Sequence, residues 1–547
     1  MGSLGGRAAT LALAYFTYQQ FSRPVMQPTA ANGVAGSTKH SIDETKRTMV
    51  VNPHRAPTGV PTGSDALDDI LNGGYERSRV HLLEGRPGSG KTTLALQFLM
   101  EARERGESTL YITLSEGKAE LIGAASTHGW SLDGIEIYEL IPSELSLDPS
   151  REQSVVYSSD LELGETVQLV MDCVEKLKPQ CAVFDSLSDI KLLAGSPLRY
   201  RRQVLALKHY FSSKDCTVLF IDDMSDDTQD ASLHSLVHGV VRLEQLTISY
   251  GAERRRLRVF KMRGRPFRGG YHDYVIRTGG LEIYPRLIAA EHNPGFEEQG
   301  PVESGVKDLD AMLKGGLDRG TSTLIMGPSG CGKSTLALQY VIAGLARDEK
   351  AVFISFDETR RNFFKRASGL HLSEPLEKAG ERFNFQQVDP AEMSPGELSG
   401  IVRSEVANGA SIVVLDSLSG YQNAMPEEQF LLLQMHELLT YLNQQGVLTI
   451  LVLTQHGLIG NMQTPVDLTY LSDTVLLLRF FEAEGELRRA ISVIKKRTGG
   501  HEQTIREYRI DTQGLRVGEP LRQFSGVLTG VPRYTGAADT LLDSRED

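Results

Sequence analysis

Unbroken apolar runs recur along this chain, at 80–83, 109–114, 181–185 and 217–221, and again at 322–326, 351–356, 411–416 and 448–453. A strand buried on both faces shows no polar alternation, so runs of this kind predict the strands of a parallel sheet. Stretches with helical spacing lie between them, and those at 94–100 and 336–341 follow the first run of each set directly. Strands alternating with helices predict an α/β fold, a mostly parallel sheet covered by helices on both faces. The two sets predict that this domain occurs twice in tandem.

The repeat extends beyond the runs. An offset of 242 residues aligns Thr62-Gly63 with Ser304-Gly305, Lys91 with Lys333 and Glu116 with Glu358. In each half a short amphipathic helix closed by a glycine pair (Gly73-Gly74, Gly315-Gly316) precedes the first strand. The expected domains are 49–290 and 291–522, joined by a linker around 290–300 and followed by a short acidic tail, 523–547. Residues 1–48 read as a disordered extension or as sequence upstream of a later start at Met26 or Met49.

Composition narrows the class. At 547 residues the chain is too long for one core, while 40% hydrophobic and 23% charged residues are ordinary for a globular protein. The net charge of -12 argues against a nucleic-acid partner held on a broad basic face. Cys173, Cys181, Cys216 and Cys331 are too few and too irregular for a disulfide framework or zinc site, which points to a reducing, cytoplasmic location. No run approaches the roughly 20 apolar residues of a membrane span.

The chemistry lies directly after the first strand of each half. Gly85-Arg86-Pro87-Gly88-Ser89-Gly90-Lys91-Thr92 and Gly327-Pro328-Ser329-Gly330-Cys331-Gly332-Lys333-Ser334 both fit G-x-x-x-x-G-K-[ST] in a strand-loop-helix context, and Thr93 and Thr335 continue them. Glycines let successive N–H groups face phosphate oxygens, and the positive end of the following helix adds attraction. The expected ligand is ATP with Mg²⁺: Lys91 and Lys333 reach the β- and γ-phosphates, and the hydroxyls of Thr92 and Ser334 ligate the metal. Asp185 and Asp416 end apolar strands and complete the Mg²⁺ shell.

Catalytic candidates follow from charge. Asp357 and Glu358 pair carboxylates able to orient or deprotonate an attacking hydroxyl or water, and mutual repulsion helps keep one of them basic. The first half retains only Glu116, after Ser115. Each half also ends in a Lys-x-Arg strand, Lys261 with Arg263 and Lys495 with Arg497. In a ring, a neighbouring copy would supply these cations to the far side of the γ-phosphate.

With these motifs, Phe356-Asp357-Glu358-Thr359, Asp-Ser-Leu-Ser at 185–188 and 416–419, and residues 501–507, the chain resembles the KaiC family over about residues 50 to 530. The resemblance implies two tandem RecA-like P-loop domains and a homohexamer with nucleotide between subunits. It further implies ATP hydrolysis by the first half, Ser/Thr autophosphorylation by the second, and an unidentified signalling protein as partner. The family's adjacent Ser-Thr acceptor pair aligns with Thr469 and Tyr470, which leaves Thr469, with Ser472 as substitute, as the expected phosphoacceptor. Two other readings stand beside it. One is a DNA-dependent ring motor using the basic clusters at 199–202 and 254–258; the other is an assembly switch driven by ATP occupancy.

Overall fold

The computed structural model describes residues 59–140, 159–224, 231–247, 251–292, 300–424, 431–455, 469–512, 514–528 and 532–534. The expected extension at 1–48, the linker core at 293–299 and the end of the tail at 535–547 lie outside the described residues.

Two nine-stranded sheets carry the fold. In spatial order the first contains Glu136–Glu139, Thr109–Thr113, Cys181–Asp185, Thr217–Asp223, Val80–Gly85, Gly239–Leu246, Arg254–Met262, Tyr271–Arg277 and Gly280–Tyr284. The first six strands are mutually parallel and the last three continue the sheet antiparallel. The second sheet repeats that order with Phe383–Gln387, Lys350–Ser355, Ala410–Asp416, Leu448–Thr454, Ser322–Gly327, Thr474–Ala483, Glu486–Lys496, Ile505–Asp511 and Gly514–Pro520. These are two tandem RecA-like α/β domains.

Both faces of each sheet are covered, as the apolar runs require. Along Thr217–Asp223, Val218 and Phe220 join one buried cluster with helices Ser159–Leu177 and Pro197–Ser213. Leu219 and Ile221 join another, with the helix Lys91–Glu104. Ala410–Asp416 alternates in the same way, Val413 and Leu415 against Ile412 and Val414. Full burial of such a side chain stabilises by about 1.5–3 kcal/mol. The edge strands Glu136–Glu139 and Phe383–Gln387 escape the sequence pattern because an edge strand is only half covered and carries no apolar run.

The repeat is visible in detail. Val60 bridges Tyr75 and Val302 bridges Leu317, while the amides of Thr62 and Ser304 donate to Asp68 and Asp310. Residues 56–547 form one compact unit. Within it the halves meet where Asp273 accepts from Gly396 N at 2.8 Å, Arg277 pairs with Glu397, and Arg254 donates to the carbonyl of Pro390 at 3.0 Å. The basic cluster at 254–258 is thereby engaged inside the chain: Arg255 pairs with Glu253, Arg256 with Glu244, and Arg256 and Arg258 lie over the Tyr271 ring. Among the described residues no helix is long and apolar enough to cross a membrane.

Candidate nucleotide sites

Each G-x-x-x-x-G-K-[ST] loop leaves the C-terminal end of a central strand, Val80–Gly85 or Ser322–Gly327, and enters the helix Lys91–Glu104 or Lys333–Ala346. Gly90 and Gly332 cap those helices with φ of 92° and 100°, a left-handed conformation that favours glycine. An added Cβ on Gly90 would also meet Ile276 at 2.8 Å, so the loop is packed from behind as well as curled. The unpaired N–H groups of a helix start and the helix dipole are the features that favour an anion, and both loops place a helix start at the strand end.

Tyrosines from the antiparallel strands tie the loops down. The Tyr274 hydroxyl donates to the carbonyl of Ser89 at 2.5 Å, and the Tyr508 hydroxyl donates to the carbonyl of Cys331. Both tyrosines are buried. Cys331 is itself fully buried, and burial raises its thiol pKa. Ser89 Oγ is buried without a hydrogen-bond partner among the described residues.

The loop lysines rest on loop carbonyls. Lys91 Nζ donates to Gly85 O and Arg86 O, both at 3.0 Å, and pairs with Asp223 Oδ1 at 2.7 Å. Lys333 Nζ donates to Pro328 O at 2.8 Å, and burial lowers its pKa.

The strand-end acids sit beside the loop hydroxyls. Asp185 accepts at 2.5 Å from Tyr111, whose hydroxyl lies near Thr92, and Asp416 lies near Ser334. Burial pushes Asp185 up to about 7 and Asp416 up to about 6. Carboxylates buried this far are short of positive charge, and with a hydroxyl alongside they form a hard oxygen donor set that fits Mg²⁺. The peptides Asp185-Ser186 and Asp416-Ser417 are both cis.

Asp357 and Glu358 do not face each other. Asp357 accepts from Ser417 Oγ, whereas Glu358 pairs with Arg366 at 2.7 Å, so each acid has its own partner. Arg366 also reaches Thr335 Oγ1 at 3.5 Å, while Thr93 is half-buried on the helix. Glu116 and Ser115 are exposed at the end of Thr109–Thr113.

Sequence reasoning missed the tip of the strand beside each loop strand. Gly85 is in register with Asp223, and Gly327 with Thr454. Ser188 accepts from Asp223 N at 2.9 Å and Ser419 from Thr454 N at 3.1 Å, so the last serine of each Asp-Ser-Leu-Ser holds this tip. The repeat of apolar runs could have aligned Asp223 with Thr454; its proximity to Lys91 needs the sheet order.

The Lys-x-Arg elements lie elsewhere. Lys261 Nζ donates to Val237 O at 2.8 Å and Arg263 to Ser235 O at 2.7 Å. Lys495 Nζ donates to Thr469 O at 2.8 Å and Ser472 O at 2.6 Å, and Arg497 to Tyr470 O at 2.8 Å. These contacts gather at the starts of Gly239–Leu246 and Thr474–Ala483, the end of the sheet opposite the phosphate loops. Ser472 is fully buried, Thr469 half-buried and Tyr470 exposed.

The family model described as "ATPase: KaiC" matches residues 60–288 and 302–522. The circadian clock protein KaiC3 of Synechocystis sp. is 26% identical over 492 residues, which cover 87% of this chain and 95% of that protein. The circadian clock oscillator protein KaiC of Thermostichus vulcanus is 26% identical over 481 residues, covering 86% and 91%. The Synechocystis oscillator protein KaiC 1 is 24% identical over 488 residues, covering 88% and 93%. With both sheets matched by one family model and relatives aligned over most of their own length, this chain belongs to the KaiC family of ATPases, and its two domains are ATP-binding domains.

Proposed function

We propose that this protein is a homo-oligomeric ATPase, assembled as a hexameric ring, whose second domain phosphorylates Thr469 of a neighbouring copy in bacterial signalling. The observation that carries this reading is the distance between Thr469 and its own phosphate loop. Thr469 lies beyond the start of Thr474–Ala483, which runs parallel to Ser322–Gly327, and the loop leaves the far end of that strand. Six strand residues span on the order of 20 Å, too far for direct transfer within one chain. The same separation applies to Lys495 and Arg497, and to Lys261 and Arg263 in the first half, so a neighbour's cations complete each site.

The roles follow. Lys91, Lys333 and the loop amides hold the phosphates, and Thr92 with Asp185, or Ser334 with Asp416, holds Mg²⁺. Bound there, Mg²⁺ neutralises charge on the β- and γ-oxygens. In the second domain the Thr469 oxygen forms a bond to the γ-phosphorus, the bond to the bridging oxygen breaks, and ADP leaves. Asp357 or Glu358 takes the hydroxyl proton. In the first domain Glu116 orients water for hydrolysis. Burial of Ser472 favours Thr469 as acceptor.

Phosphopeptide mass spectrometry after incubation with Mg²⁺ and ATP tests the reading. Mixing Lys333→Ala protein with Thr469→Ala protein should place phosphate on Thr469 of the Lys333→Ala chain, and neither variant alone should carry any. Phosphate confined to unmixed wild-type protein would point to transfer within a chain; none anywhere, with ATP consumed, would remove the kinase and leave the ATPase.

A further inference from the structure

The two nucleotide sites differ in charge at several aligned positions, Arg86 against Pro328 and Ser115 against Asp357 among them, and two of the differences lie on the strands that flank the loop strand. The first is the strand tip opposite the loop strand. In the first half it is Asp223, 2.7 Å from Lys91 Nζ; in the second it is Thr454. Two relations fix the equivalence, the strand register and the serine from Asp-Ser-Leu-Ser that accepts from the tip's amide. Among the described residues no carboxylate lies within ion-pair distance of Lys333.

The second position is on the strand flanking the loop's other side. A Cβ on Gly85 would meet Leu243 O at 2.5 Å, and one on Gly327 would meet Leu478 O at 2.5 Å, which makes Glu244 equivalent to Arg479. Glu244 pairs with Arg256 at 2.8 Å. Arg479 has Nε and Nη1 buried with no hydrogen-bond partner among the described residues, and it directly follows Leu478, whose carbonyl abuts Gly327 at the start of the loop. A guanidinium with buried, unmet donors beside an anion-binding loop calls for an anion.

We infer that these residues bias nucleotide binding toward the second site. Asp223 competes with nucleotide phosphates for Lys91 and repels them, whereas Arg479 offers the second site an additional phosphate contact. From Asp223 to Thr454 the site gains one positive unit, and from the Glu244–Arg256 pair to Arg479, which faces Ala490 at the same register, it gains one more. A close charge pair of this kind changes affinity by about tenfold. The inference deepens the nucleotide-binding reading of both sites and rests on it.

The test measures N-methylanthraniloyl-ADP binding with Mg²⁺ by fluorescence, using full-length protein with one site silenced. In a Lys333→Ala background, Asp223→Asn and Asp223→Thr should each tighten binding at the first site about tenfold, and Asp223→Glu should leave it weak. In a Lys91→Ala background, Arg479→Gln should weaken the second site about tenfold, with Arg479→Lys restoring part of the loss. The second site of the Lys91→Ala protein should bind more tightly than the first site of the Lys333→Ala protein. Equal affinities, unchanged by Asp223→Asn and Arg479→Gln, overturn the bias while leaving nucleotide binding intact. No binding by wild-type protein overturns the nucleotide reading itself. Matching thermal melts of each variant and its background separate a local charge effect from misfolding.

Discussion

Replacing Tyr508 with phenylalanine isolates one contact between the antiparallel strands and the second phosphate loop. Tyr508 lies on Ile505–Asp511, its ring fully buried in the cluster that includes Leu336, Leu338 and Cys331. Phenylalanine keeps the ring and creates no cavity, so the transfer contribution is unchanged. What goes is the hydroxyl, and with it the hydrogen bond to the Cys331 carbonyl, which then lacks that partner in a buried site. Losing one partner of a buried bond costs about 1–3 kcal/mol. Part of that loss falls on the loop, because Ile510 on the same strand packs against Gly332 and the tyrosine is the polar tether at this point. ADP affinity at the second site, measured in a Lys91→Ala background, should fall about fivefold or more, which corresponds to roughly 1 kcal/mol. Tyr274→Phe, which breaks the bond to Ser89 O, should do the same at the first site. Unchanged affinity and thermal stability in both variants would refute the reasoning: the loops would then be held by their own backbone, with the tyrosines merely packed beside them.

Raised carboxyl pKa values set a pH dependence. Asp185 rises from 3.8 to about 7 and Asp416 from 3.8 to about 6, both first because burial disfavours the charged form. Each holds its proton more tightly folded than unfolded, so nucleotide-free protein should lose stability as pH rises from about 4 to 7. Asp185→Asn should flatten that decline in thermal melts and weaken Mg²⁺-dependent nucleotide binding at the first site; an identical melting profile would sink the assignment. In the core, Phe353 packs against Phe363 at 4.9 Å between ring centroids, with Phe385 at 6.0 Å. Phe353→Ala should therefore destabilise by about 3–5 kcal/mol, read as a lower urea midpoint for loss of structure, and a shift below 1 kcal/mol would contradict the packing. At the seam between the halves, Arg254→Ala removes the bond to Pro390 O and should speed proteolysis there without changing either sheet's circular dichroism. Unchanged cleavage would show that this bond does not hold the seam.

The phosphate loops, the acids ending their strands and the doubled domain were legible because each depends on residues close together in the chain. A curled loop needs glycines at fixed spacing, and a strand buried on both faces needs an unbroken apolar run. The edge strand Glu136–Glu139 was not legible, since half-exposed strands carry no such run. The separation of Asp357 from Glu358 also escaped, because adjacent strand-end residues diverge toward partners, Ser417 and Arg366, that the pattern does not name. Only the tertiary structure brought Tyr274 to Ser89 across 185 residues, set Asp223 against Lys91, left Arg479 beside the second loop and carried Thr469 to the end of the sheet away from its own loop. The physical reason is common to all four. Strand order and register decide which distant side chains share one end of a sheet, and those are fixed by how the whole core packs rather than by any local spacing.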